Sequence, residues 1–271
     1  MKKIVFLFSF FFVSIVFAQQ NMHWRAVYQY KRILTEKQKA RRDSMAKVRP
    51  EMADMMKSIY KRIDNRTYFL DFNQNESVYK IKAQLGKPGK RNFSFSANRI
   101  LYKDLKNKTY IQKAPLFDEI YLITDSLPDY HWKITGETKK IGNYTVIKAE
   151  GTEIVKKRSK KNKDQKEIKW ETKEKKVIAW FTPEIPISNG PSKYSGLPGL
   201  IMELDKNGEV LLLKELIVNP TKFNEIKKPE KGKNVNEKEF KKIRMKQMQK
   251  MQKMYKSRRN DRNSKGIIIV R

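Results

Sequence analysis

Chemistry at a protein site needs a nucleophile beside a base, a cluster of metal ligands or a loop that cradles phosphate. This chain offers few parts for any of them. Its two histidines, His23 and His131, each flank a tryptophan in strand-like surroundings, and neither stands at the spacing of a triad or a metal site. Gly190-Pro191-Ser192-Lys193-Tyr194 lacks the closing glycine of a nucleophile elbow. Ser-x-x-Lys occurs at Ser44/Lys47, Ser58/Lys61 and Ser77/Lys80 without companion motifs, as chance allows in a lysine-rich chain. The absence of cysteine removes thiolate nucleophiles, zinc-thiolate sites, disulfides and the lipid-bearing cysteine of a lipoprotein. Asp118-Glu119 reads as a solvated acidic pair, and neither a calcium loop nor a glycine-rich phosphate loop is present. The expectation is a protein that is not an enzyme and holds neither metal nor cofactor.

What the chain has in excess is positive charge: 61 Lys and Arg against 29 Asp and Glu, a net +32. Lysines and arginines interleaved with aromatics are how non-specific nucleic-acid binders look. The N-terminus argues otherwise. Lys2 and Lys3 precede an apolar core from Ile4 to Phe17, with Val16 and Ala18 at the small-residue positions, which are the features of a secretory leader cut after Ala18. That core is short of the ~20 residues a membrane span needs. No nucleic-acid partner is expected, and the excess, mostly lysine, reads as solvating charge or as attraction to anionic lipid and glycan.

The elements that would position any site read as follows. Met22 to Tyr30 alternates apolar and polar residues, the period of a strand. From Glu36 to Asp64 the period becomes helical, with Pro50 placed to open a helix over 50–64 and Met52, Met55, Met56, Ile59, Tyr60 and Ile63 on one face. Strands follow at 66–72, 77–83, 99–103, 108–113 and 117–124, then a pair at 132–134 and 144–148. Residues 156–176 carry eleven Lys or Arg and read as a solvated basic loop. Val177 to Phe181 is a strand stopped by Pro183 and Pro186, since proline cannot donate to a ladder. Four prolines (183, 186, 191, 198) and glycines 190, 196 and 199 then make an ordered, repeatedly turned loop. Asn207-Gly208 suits a type I′ turn pairing Lys206 with Glu209, Leu204 with Leu211 and Met202 with Leu213. After Pro220 comes a tail: a capping-box start at Asn236/Glu239 and a basic helix from Glu237 to Arg259, with Phe240, Ile243, Met248, Met251 and Tyr255 on one side. Residues 266–271, Gly-Ile-Ile-Ile-Val-Arg, read as a terminal edge strand.

Gly196-Leu197-Pro198-Gly199-Leu200-Ile201 resembles the signature of the GLPGLI family, exported proteins of the Bacteroidota with no assigned biochemical role. The runs Ala179–Pro186 (AWFTPEIP), Asp125–Tyr144 and Asn75–Lys80 (NESVYK) look like further family blocks, so the resemblance extends from Trp24 to Val218. It brings no catalytic residues. It implies motif positions of structural weight: Trp180, Pro183, Pro186, Gly196, Leu197, Pro198, Gly199, Leu200 and Ile201. Asp43-Ser44-Met45 and Asp125-Ser126-Leu127 resemble the O-glycosylation acceptor of exported proteins in this phylum, which makes Ser44 and Ser126 candidates. The strand order also resembles, more distantly, the lipoprotein-carrier half barrels that hold acyl chains.

These readings add up to an α+β fold. A curved, mostly antiparallel half-barrel-like sheet of about eight to ten strands carries a helix near 50–64 and a long basic C-terminal helix. The expected layout is a signal peptide at 1–18 and a β-rich domain at 19–222, with a helical insertion at 36–64. A basic helical tail follows at 223–271. The expected role is a monomeric envelope protein, periplasmic or associated with the outer membrane. It would bind an apolar or lipid-like ligand in the curved sheet. The alternative is an accessory protein whose basic helix meets an anionic surface or an outer-membrane protein.

Overall fold

The computed structural model describes residues 22–64, 66–82, 99–158, 170–221 and 226–264; the leader at 1–18 and the strand read at 266–271 lie outside them. Twelve strands form: β1 (Trp24–Arg32), β2 (Thr67–Phe72), β3 (Glu76–Ile81), β4 (Ile100–Asp104), β5 (Thr109–Leu116), β6 (Glu119–Ser126), β7 (Lys133–Ile141), β8 (Tyr144–Arg158), β9 (Trp170–Thr182), β10 (Leu200–Lys206), β11 (Glu209–Val218) and β12 (Lys233–Val235). They make one sheet in the order β12-β6-β5-β4-β3-β2-β1-β11-β10-β9-β8-β7. Every pair is antiparallel except β12 on β6. Three helices join it: α1 (Glu36–Val48), α2 (Pro50–Asp64) and α3 (Glu237–Ser264).

The sheet curves, and the core shows around what. Ala26 and Tyr28 of β1, Leu70 and Phe72 of β2, Tyr110 of β5, Ile123 of β6 and Val146 of β8 share one buried cluster with Ile185 and Ile187 of the β9–β10 loop. β6 and β8 stand near opposite ends of the strand order, so they meet one core only because the sheet bends round that loop. The β9–β10 loop therefore lies within the curve of the sheet, its Ile185 and Ile187 part of the core. A second cluster joins Ala149, Ala179, Phe181, Ile201 and Leu204 to Tyr130, Tyr194 and Leu197.

The Asn207-Gly208 turn has φ of 56° and 87°, both in the left-handed region that a type I′ turn requires. Lys206 pairs with Glu209 and Leu204 with Leu211. The ladder keeps that register and ends at Glu203–Leu212, one pair short of Met202 and Leu213, while on its other edge Leu213 faces Tyr28. Against β9, Ile201 faces Phe181 and Glu203 faces Trp180, so Met202 is the extra residue of a β-bulge. The bulge breaks the alternation and sends Leu204 to the same face as Ile201.

The helical insertion is two helices. Thr35 and Gln38 form a capping box that starts α1, and the chain breaks at Arg49 before Pro50 opens α2. α1 buries no residue, and on α2 Met52 and Met55 stay exposed. The basic loop read at 156–176 is strand at both ends, since β8 continues to Arg158 and β9 begins at Trp170; residues 159–169 lie outside the described ones. Counting lysines missed the acids opposite them, because the register sets Glu153 against Lys175 and Glu171 against Lys157. The edge beside β6 is taken by β12, three residues with no apolar pattern, whose Lys233 reaches Glu119 at 2.8 Å. On α3, Phe240 is buried edge-on to Tyr121 and Ile243 packs on the same core. Met248 is 54% exposed, so the stripe leaves the sheet after two turns; the side chain of Tyr255 lies outside the described ones.

Candidate functional site

The Pro183–Gly199 loop is the most tightly specified part of the molecule. Leu200 N–H donates to Ile185 O at 3.1 Å, Ile201 N–H to Asn189 O at 2.9 Å, and Gly196 N–H to Ser188 Oγ at 2.9 Å. A Cβ on Gly199 would stand 2.1 Å from Thr182 O, so only glycine lets the chain double back there. Tyr28 Oη, wholly buried, donates to Ile201 O at 2.5 Å and pins β10 from across the core.

Other parts of the chain meet this loop. Tyr130 stacks on Tyr194 with ring centroids 4.5 Å apart, and Trp132 Nε1 donates to Ser195 O at 2.9 Å. Gly151 leaves the space that the Trp132 ring occupies. On the other side Lys103, without exposed surface, donates from Nζ to Gly190 O at 2.7 Å. Burial lowers its ammonium to about 7. Ser77 of the NESVYK block sits opposite Lys103 in the β3–β4 register. Its hydroxyl and the Asn189 amide nitrogen are buried without a protein partner.

A polar clasp closes the loop against the sheet and α3. Lys193 Nζ lies 3.9 Å from the centroid of the Tyr110 ring and donates to Tyr110 Oη at 2.7 Å and to Glu237 Oε2 at 2.8 Å. The Tyr110 hydroxyl also donates to Glu237, and Lys241 Nζ reaches its other oxygen at 2.9 Å. Burial alone would raise Glu237; the bonds from Lys193, Tyr110 and Lys241 overcome it and bring the carboxyl to about 2. Burial first, and Glu237 second, push the Tyr110 phenol above its ordinary range. At neutral pH the clasp holds a fixed ion pair and a neutral phenol, so none of its shifted groups is poised to exchange a proton. Lys103, which titrates near neutrality, is sealed from solvent. These groups fasten the loop.

An open site lies elsewhere. A cleft of about 800 Å³ separates α1 and α2 from the β10–β11 turn. Ile33, Leu34, Met45, Met56 and Tyr60 give it an apolar lining, and Arg41, Arg42, Lys57 and Lys175 add positive charge beside the acids Asp43, Asp54 and Glu209. The Arg32 guanidinium stacks 4.6 Å over Tyr60, and Ile33 N–H donates to Gly208 O at 2.7 Å, which anchors the cleft to the sheet. Ile33 and Met45 remain 54% and 40% exposed within it.

Among the motif positions, Leu197, Gly199, Leu200 and Ile201 are buried, Pro183, Pro186, Gly196 and Pro198 lie at exposed turns, and half-buried Trp180 sits 4.2 Å under the Lys139 ammonium. The structure brings these together as the loop and its two strand ends. Ser44 is exposed on α1 and Ser126 at the end of β6, far apart in the fold. The histidines stay apart too: His131 is exposed beside Asp129, and the His23 backbone closes on Asn219. Among the described residues, no group of three or more His, Cys, Asp or Glu could hold a metal, and no helix is long and apolar enough to cross a membrane. Sequence reading missed Lys103, Tyr110, Lys193 and Glu237. The one signal was a lysine inside an apolar strand, Ile100-Leu-Tyr-Lys-Asp104.

Residues 132–203, which hold Trp132, β8, β9 and the whole loop, match the family described as "Protein of unknown function (Porph_ging)". No curated protein sequence matches the chain. Among solved structures, PNGF-II in its C2 crystal form superposes with a TM-score of 0.50 at 15% identity, over 83% of this chain and 33% of that one. Its P21 form gives 0.49 at 15% identity, over 83% and 34%. This chain thus spans about a third of PNGF-II, and the C2 likeness is one of fold: a large, mostly antiparallel open sheet.

Proposed function

We propose that this is an exported, non-catalytic cell-envelope protein of the GLPGLI family that holds an amphipathic, lipid-like ligand in the cleft between its helical pair and the β10–β11 turn. The observation that carries the reading is the cleft itself: about 800 Å³, within the range of small-molecule sites, with apolar walls and cations close by. The β9–β10 loop within the curve of the sheet favours this cleft over the curved sheet itself as the place of the ligand. An acyl chain laid along Leu34, Met45 and Met56 would bring an acidic headgroup to Arg41, Arg42 and Lys57. A leader cut after Ala18 would deliver the protein to the periplasm or the outer membrane, with Ser44 the better placed glycosylation acceptor because its neighbours Arg41, Arg42 and Lys47 are exposed with it.

Native mass spectrometry of the protein purified from its own host tests the proposal. A retained lipid-sized adduct is expected, lost when Met56→Glu places a charge on the cleft wall. An adduct that persists undiminished in the variant, or none in either protein, overturns the reading. The same spectra show whether the chain begins at Gln19, as the leader requires.

A further inference from the structure

Among the described residues, the distal part of α3 has no apolar partner in the cores. The helix has 28 residues, on the order of 40 Å at 1.5 Å per residue. Only its first two turns touch the sheet, through Phe240 and Ile243. Beyond them Met248 and Met254 are 54% and 56% exposed. Met251 and Met254 continue, at helical spacing through Gln247, the line that Phe240 and Ile243 begin. Lys238, Lys242, Lys246 and Lys250 recur every fourth residue, a row that starts opposite this line and winds round to its flank. Like charges at that spacing repel along a helix. Of the acids on the helix, Glu237 and Glu239 stand in the first turn and Asp261 near its far end, well beyond Lys250. Glu237 is already engaged by Lys193 and Lys241.

A projecting helix of this kind needs an anionic partner to hold its conformation. A soluble polyanion would answer the lysines and leave the methionines in water. A bilayer answers both, since methionines can lie at the acyl boundary while lysine stems reach the headgroups. We propose that α3 from Arg244 onward attaches this protein to an anionic lipid bilayer, independently of any ligand in the cleft.

The chain contains no cysteine, so a single Met254→Cys substitution in the intact protein accepts one polarity-sensitive dye. Vesicles rich in phosphatidylglycerol should blue-shift it, vesicles of phosphatidylcholine alone should not, and salt well above physiological strength should reverse the shift. The same dye at Lys106→Cys, on the β4–β5 turn, should stay unmoved. Replacing Lys242, Lys246 and Lys250 by Gln should weaken vesicle binding on the order of 100-fold at low salt. Replacing Lys106, Lys214 and Lys231, also exposed, should change it by no more than a few-fold. All six lysines lie off the docked stripe, and circular dichroism confirms that each protein is folded. Equal loss in both triple variants, an unmoved dye on bound protein, or an equal shift with heparin in place of vesicles would overturn the proposal.

Discussion

Two segments of this protein have the same topological task and opposite fates. Pro183–Gly199 joins β9 to β10 and the stretch from Ile33 to Arg66 joins β1 to β2, each a long connection between strands that lie side by side. The first turns inward, carries Ile185, Ile187 and Leu197 into the cores, and is fastened by Lys103, Trp132 and Lys193. The second turns outward into two helices, the first of which buries nothing. Local stiffness does not separate them, since α1 is well capped. The difference is in what each can cover: a connection rich in proline, glycine and isoleucine replaces a layer of the core, while one rich in Lys, Arg and Glu is left in water.

The contrast can be broken from the loop side first. Gly199→Ala should cost more than about 3 kcal/mol, because its Cβ would meet Thr182 O and neither backbone can yield. Gly142→Ala, at φ 59° but with open space round it, should cost only about 1 kcal/mol. Equal denaturation midpoints for the two would remove the loop's special status.

Lys103→Met comes next, and its signature is in pH. Below about 7 folded and unfolded states both hold the proton, and stability carries the whole penalty of a buried cation. Between about 7 and the ordinary value of 10.5 only the unfolded chain keeps it, so stability should rise with pH by on the order of 3 kcal/mol. Urea titrations from pH 7 to 10 should show that slope in the native protein and its loss in the variant.

Glu237→Gln should loosen the clasp by about 1 kcal/mol at neutral pH. Native Glu237 contributes stability above its unfolded value of 4.5 that is lost as pH falls toward 2; the variant should lack that part of the acid transition in a melting series.

The smallest effect belongs to the outward segment. Gln29 pairs with Thr67 and Tyr30 N–H donates to Arg66 O, so the two strands already meet where the helices leave. Replacing residues 34–65 by a short turn should change stability by less than about 1 kcal/mol, and a sheet that unfolds on that excision would show the two segments to be alike.

How far these differences could be read in advance depends on their range. The Asn207-Gly208 turn and the Leu204–Leu211 pair were legible because everything that decides them lies within a few residues. The Met202 bulge was not, since Leu200, Met202 and Leu204 present the same apolar alternation with or without an extra residue. That Lys103 points inward was not legible, because its partner Gly190 is 87 residues away. The clasp joins Tyr110, Lys193 and Glu237 across a separation of up to 127 residues, which no local pattern records. The prolines of the loop announced that it is ordered. They did not announce that Ile185 and Ile187 pack into the curve of the sheet.

A core filled by a late segment constrains how the chain can fold. β1 is made early but takes its second partner from β11, and Tyr28 waits for a carbonyl 173 residues further on. Until residue 183 has been made, the meander from β1 to β6 carries Ala26, Leu70, Phe72, Tyr110 and Ile123 on a face with nothing to lie against it. Such long-range pairing is slow, and an uncovered apolar sheet invites association with other chains. A nascent or truncated copy ending before the loop would need a holding partner to stay in solution, whereas one reaching Val218 brings its own.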